Sequence, residues 1–126
     1  MVITQTIQIS ASPEKIYNAL MSAQEFSEVT GAPAEIAQEE GGQFSCFGGQ
    51  IVGRHIELKL NERIVQAWRV GSWAEGLYSM VKFEIGESGD STTITLEHRG
   101  FPESAAEELE GGWHKMYWEP LKAYLE

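Results

Sequence analysis

An α+β domain, with a curved antiparallel sheet of about six to seven strands wrapped around one long carboxy-terminal helix, is the fold class that this 126-residue sequence predicts. Three observations carry that expectation. Apolar and polar residues alternate with period two over residues 3–9, and again through successive segments of residues 34–101. Those segments are separated by short turn sequences that leave no room for a crossover helix, so neighbouring strands pair antiparallel. After residue 102 the period becomes helical, and the recurring positions are large and aromatic. A sheet of this size must curl, and the aromatic helix face is suited to its concave side.

The elements follow in order. "VITQTIQIS" places Ile3, Ile7 and Ile9 on one side and Thr4, Thr6 and Gln8 on the other, which is a strand. "SPEKIYNALM" offers Ser12 as a helix cap, Pro13 at the first helical position and Glu14 at the positive dipole end, with Ile16, Tyr17 and Leu20 as its apolar stripe. "SAQE" (residues 22–25) is a second capping box, and Gly31 closes that short helix. Gly41-Gly42, Gly48-Gly49, "LNER" and "GESGDS" then divide the strands. "RHIELKL" reads as Arg54, Ile56, Leu58 and Leu60 on the inner face, with His55, Glu57 and Lys59 outside. Later strands put Ile64, Gln66, Trp68 and Val70, then Leu77, Ser79, Val81, Phe83 and Ile85, then Thr92, Ile94, Leu96 and His98, on shared faces.

The last segment opens with "SAAE" (residues 104–107), a third capping box, with Glu103, Glu107, Glu108 and Glu110 near the favourable dipole end. Leu109, Trp113, Met116, Tyr117, Pro120 and Tyr124 recur at helical spacing as the core stripe. Gly111-Gly112 weakens this helix, and Pro120 removes a backbone bond and predicts a bend.

Composition narrows the function classes. The length suits one domain, residues 1–126, with one core. No signal-peptide pattern and no spanning apolar run occur, so a cytoplasmic monomer or homodimer is expected. A single cysteine, Cys46, forms no internal disulfide and no thiolate cluster; it reads as a small buried hydrophobe or a reactive thiol. His55, His98 and His114 form no metal-binding spacing, so neither a metal nor a cofactor is expected. A formal charge of −10, with scattered basic residues, disfavours nucleic acid and anionic membranes as partners.

"GGQFSCFGGQIVG" (residues 41–53) raises the possibility of a phosphate loop. Neither GxGxxG nor GxxxxGK[ST] is present, and strand alternation, not a helix, follows Gly53. Gly48-Gly49 instead suits a two-residue hairpin, and Gly53 a bulge or a close backbone approach.

"APAEIAQEEGGQFSCFGGQIVG", "IVQAWRVGSWAEGLYSMVKFEI", "LEHRGFP" and "GGWHKMYWEPLKAYLE" together resemble the carboxy-terminal domain of the activator of the ninety-kilodalton heat-shock chaperone's ATPase. That domain belongs to the START-like (SRPBCC), birch-pollen-allergen-like superfamily of helix-grip folds. The resemblance covers residues 4–126 and implies co-chaperone-like docking. In the two-domain activator a separate amino-terminal domain makes the main chaperone contact, and a chain of this length has no room for it. Ser72, Trp73, Glu75 and Gly76 match "SW-x-EG", and Gly112-Trp113 the "GW" of the last helix. The resemblance assigns no catalytic role to these residues.

Two sets of candidate site residues result. Arg54, Gln66, Ser79 and His98, facing inward among hydrophobes, would be the polar groups of a pocket. Its walls would be Tyr17, Trp68, Phe83, Leu96, Trp113 and Tyr117, which are otherwise ordinary core. Arg54 could instead reach the rim, and His98 could bond to backbone. The second set is a partner surface. His114, Trp118, Leu121 and Leu125 fall on the helix flank away from the core stripe, where they form an apolar patch or cover the first strand or the short helices. Trp73 and Glu75 sit on a loop as an anchor or a contact. No Ser-His-Asp or Cys-His spacing is present. The leading expectation is a non-enzymatic domain that binds a small apolar ligand or docks a heat-shock chaperone. The alternative is an enzyme like the polyketide cyclases and dehydratases, with His98 or Tyr17 as its acid–base group.

Overall fold

A computed structural model describes all 126 residues. Seven strands form one antiparallel sheet in the order β1-β7-β6-β5-β4-β3-β2. They are β1 (Val2–Ile9), β2 (Glu35–Ile36), β3 (Gln43–Cys46), β4 (Ile51–Lys59), β5 (Arg63–Val70), β6 (Ser79–Ser88) and β7 (Ser91–Arg99). After β1 come α1 (Pro13–Met21) and α2 (Ala23–Thr30); after β7, a helical rod combines α3 (Ala106–Gly112), a wide π-type stretch (Trp113–Trp118) and α4 (Glu119–Leu125). The curled sheet closes around this rod, which gives the helix-grip arrangement expected from the sequence.

Both small helices start as the capping residues dictate. Ser12 Oγ accepts from Lys15 N–H and Ser22 Oγ from Glu25 N–H, and Gly31 ends α2 at φ 75°. The third capping box does not form. A 3₁₀ turn (Glu103–Ala105) leads straight into α3, and no side chain caps it. Pro102 fixes the extended entry into that turn, and the turn carries the chain into the helix without a Ser104 cap.

Two register changes redirect side chains. Between His55 and Glu57 the pairing of β4 with β5 slips by one residue, a β-bulge at Ile56. His55 pairs with Gln66 and faces the core, Leu58 pairs with Ile64, and Ile56 is left half exposed. Arg54 therefore points outward, opposite to the face assigned from alternation, and donates to the Gly41 carbonyl at 2.8 Å. Leu60, expected inside, is exposed in the turn after β4. The bulge does not fall at Gly53, whose expected close approach is real: a Cβ there would lie 2.0 Å from the Ala67 carbonyl oxygen and 2.6 Å from the Phe44 ring.

The rod holds the second change. Glu119 N–H bonds to the His114 carbonyl, five residues back, so the helix widens by one residue just before Pro120, which has no N–H to give. The disruption expected at Pro120 is taken up in this wide turn. It moves Trp118 and Leu121 into the core at 1 % exposure each, while Met116 and Tyr124 are 39 % exposed. Of the two readings of this flank, cover rather than exposed patch therefore holds at those two positions. Leu125 packs half-buried against the core, and His114 is exposed.

The link between β3 and β4 is also longer than a two-residue hairpin. Cys46 pairs with Ile51, leaving four residues, of which Phe47, Gly48 and Gly49 all have positive φ. Phe47 holds φ 55° without being glycine, and its ring is buried edge-on against Phe26 and Tyr117. That burial offsets the backbone strain.

Gly112 shows the opposite situation. Its backbone is ordinary helix at φ −62°, and an added Cβ would meet nothing within 4 Å. Gly112→Ala is therefore expected to stabilise the protein by about 0.5–1 kcal/mol. A raised urea midpoint with an unchanged slope checks this.

Candidate functional site

The space between sheet and rod is filled by aromatic rings. Trp68 stacks on Trp113 with ring centroids 5.4 Å apart, Phe83 meets Trp113 edge-on at 5.8 Å, and Tyr117 lies 4.4 Å from Trp113. Trp68, Phe83 and Trp113 are each 2 % exposed. Leu96 and Tyr17 complete the same core. What remains beneath them is a void of about 10 Å³ bordered by Gln66, Phe83 and Tyr117, which is room for a single water molecule.

A polar chain crosses this core. Trp113 Nε1–H donates to His98 Nδ1 at 3.1 Å, His98 Nε2 lies 2.8 Å from Ser79 Oγ, and Ser79 donates to the Trp68 carbonyl at 2.8 Å. Because Nδ1 accepts, the neutral ring carries its proton on Nε2 and donates it to Ser79. The chain ties the rod to β7, β6 and β5, and every donor in it has an acceptor. Burial lowers the His98 pKa to about 4. His98 thus bonds to side chains rather than to backbone, and it is sealed behind Trp113.

The second buried histidine was assigned to the wrong face by alternation. His55 Nδ1 lies 3.5 Å from the Gln66 amide nitrogen, and its ring stacks on Phe44. Its Nε2 has no hydrogen-bond partner. Burial lowers its pKa, with a partial offset from the Ala37 carbonyl. Cys46 is buried, and burial pushes its thiol pKa up to about 12, so the small-hydrophobe reading applies. Tyr117 is raised by burial and then by Cys46, with a small opposing effect from the Trp68 indole. Tyr17 is raised by burial and then by Glu40. No three His, Cys, Asp or Glu side chains come together as a metal site.

The rings do reach an opening. A cleft of about 320 Å³ lies under α3. Its helix wall is Ala105, Glu108, Leu109, Gly112 and Met116; its sheet wall is Phe47, Ile51, Val70 and Trp73; Trp68, Trp113 and Tyr117 form its floor. Trp73 packs edge-on against Trp68 at 5.9 Å, so it is both a loop anchor and part of the cleft. Its loop is shaped by Arg69, which donates to the carbonyls of Trp73, Ala74 and Leu77. Sequence periodicity gave no sign of this role, because the guanidinium bonds to backbone and not to a carboxylate. Glu75 is exposed on that loop. Trp118 has no part in the cleft; its indole N–H donates to Gln5 Oε1 at 2.7 Å, joining the rod to β1. A wider depression of about 830 Å³ crosses the outer sheet face beside Arg54 and Tyr78, away from the aromatic cluster.

Fold and site together define a helix-grip domain with a solid aromatic core that opens only beneath the start of its long helix. Residues 10–126 match the family described as "Activator of Hsp90 ATPase homolog 1-like protein", and the chain belongs to that family. It is 30% identical over 111 residues to the human "Activator of 90 kDa heat shock protein ATPase homolog 1", covering 88% of this chain and 33% of that protein. The mouse homolog 2 is 29% identical over 113 residues, covering 90% and 34%. The chain thus spans about a third of the length of these curated relatives. An Hsp90 activator from Plasmodium falciparum superposes with a TM-score of 0.92 at 26% identity, over 98% of this chain and 94% of that one. The Aha1 dimer from Colwellia psychrerythraea (TM-score 0.86, 22% identity, 100% and 96% coverage) and CalU16 from Micromonospora echinospora (0.82, 21%, 98% and 74%) share the fold. No helix is long and apolar enough to cross a membrane.

Proposed function

We propose that this chain is a protein-docking, co-chaperone-like domain that engages a heat-shock ATPase of the Hsp90 class through the cleft under α3 and the adjoining loop of residues 72–76. The observation that carries this reading is the filled interior. With Trp68, Phe83 and Trp113 packed to 2 % exposure, the deep space between sheet and rod holds only about 10 Å³, and the opening of about 320 Å³ that these rings border lies at the edge, under α3. The accessible aromatic surface is instead at the edge, where a partner can reach it. Membership of the activator-homologue family supports the choice of partner. The enzyme alternative has less support. Of its two acid–base candidates, His98 has both ring nitrogens bonded and lies behind Trp113, and Tyr17 is buried in the core.

The test combines the purified chain with an Hsp90-class chaperone. Binding by calorimetry together with a changed rate of ATP hydrolysis is expected, and both should weaken in Trp73→Ala. Absence of both binding and rate change would sink the proposal. Turnover of aromatic polyketide-like substrates would replace it with the enzyme reading.

A further inference from the structure

No side chain of α3 is fully buried: Ala106 and Leu109 pack half-buried against the core, Gln5 of β1 donates to the Glu110 carbonyl at 3.1 Å, and open space lies beside Gly112. Below α3, Trp73 is the half-buried ring of the cleft, and Phe47, Trp68, Trp113 and Tyr117 border it while remaining buried. Glu108 is the charged residue in the lining, which contains no lysine, arginine or histidine. Nearby bases are held elsewhere: Arg69 is tied to three loop carbonyls, and His114 and Lys115 are exposed outside the lining. Three further exposed acids lie close in sequence to lining residues: Glu103 and Glu107 beside Ala105 and Glu108, and Glu75 on the loop that carries Trp73.

We propose that this cleft recognises a cation carried on an apolar group. In the free form that is an arylalkyl-ammonium; in a partner chain it is a lysine or arginine beside a large apolar residue. The partner clause rests on the docking function proposed above, whereas the preference for a cation stands on the lining alone. An aromatic face carries negative charge density, so a cation over it is attracted, the more so as water is excluded. Glu108 adds a salt-screened attraction of the same sign. A neutral analogue of equal size retains the apolar burial and loses both contributions. An anion meets Glu108 and a chain of formal charge −10.

The experiment titrates the intact chain at neutral pH with phenethylammonium, 2-phenylethanol and phenylacetate, followed by tryptophan fluorescence and amide NMR shifts. Phenethylammonium is expected to bind about ten-fold more tightly than the alcohol, with the carboxylate weakest. Glu108→Gln should narrow the cation-to-alcohol ratio about three-fold. Gly112→Leu places a side chain in the open space while favouring the helix, so the fold stays intact and binding is lost. Equal affinity for cation and alcohol, no binding of any probe, or binding that survives Gly112→Leu overturns the proposal. Cation binding without any chaperone effect leaves this site standing and removes the docking function; the reverse removes the site alone.

Discussion

Trp113→Ala is expected to destabilise the protein by about 4 kcal/mol, the largest loss from any single truncation in the aromatic core. The indole is 2 % exposed and touches rings from three directions: Trp68 below, Phe83 and His98 edge-on, and Tyr117 on its own helix. Alanine would leave a cavity among large, rigid neighbours that cannot collapse into it, which puts the loss at the upper end for such substitutions. It would also remove the donor to His98 Nδ1 and leave a buried acceptor unpaired. Domains of this size are stable by about 5–15 kcal/mol, so the variant should be marginal at room temperature. Trp113→Phe separates the two contributions: it keeps most of the ring contacts, loses the hydrogen bond, and should cost about 1–3 kcal/mol. Urea unfolding of both variants measures the difference. A loss below about 1 kcal/mol for Trp113→Ala would mean that the cluster does not fasten the rod to the sheet.

How far the sequence revealed this arrangement depends on where its periods are unbroken. β5, β6 and β7 alternate without interruption, so Gln66, Ser79 and His98 could be read as inward-facing, and they are buried. The caps of α1 and α2 were equally legible, because a Ser three residues before the N–H that donates to it is a local signal. β4 misled for a definite reason. Ile56, Leu58 and Leu60 mimic one apolar face, yet a single extra residue at Ile56 reverses the phase on its amino side and exchanges Arg54 for His55 in the core.

The rod was legible as a choice. A fixed 3.6-residue period sets Trp118 and Leu121 off the core stripe, as a patch or as cover for the first strand or the short helices; the widened turn before Pro120 brings them inside, and Trp118 bonds to Gln5 of β1. Pro120 was visible in the sequence as a source of disruption; its resolution as one extra residue in the preceding turn was not. The cleft was legible only in part. Trp68, Trp113 and Tyr117 were recognised as ring neighbours, but whether they form a cage or fill the space is a question of volume, which alternation does not encode. Phe47 was missed altogether, since nothing local predicts a phenylalanine with positive φ whose ring packs into the core.

The second large effect is a loss of stability on mild acidification. The His98 pKa is lowered to about 4 in the folded chain by burial, against an ordinary value near 6.5. The unfolded chain therefore takes up this proton first. The stabilisation is fully present above about pH 6.5 and drains away as the pH falls toward about 4. From those two values the expected loss between pH 7 and pH 5 is about 2 kcal/mol. His55, whose pKa burial also lowers, contributes with the same sign. The carboxylate of Glu97 does not confuse the window, since Arg99 and Lys82 hold its pKa below the usual glutamate value and it titrates at lower pH. A structural reason reinforces the linkage: a protonated ring would turn an N–H toward the Trp113 N–H in place of the acceptor it now offers. His98→Gln retains one acceptor and one donor but does not titrate in this range. Its stability should therefore be lower at pH 7 and flatter between pH 7 and pH 5, with the residual slope left to His55. Unfolding midpoints at half-unit pH steps make the comparison, and a slope in the variant equal to that of the parent would show that His98 already carries its proton in the folded chain.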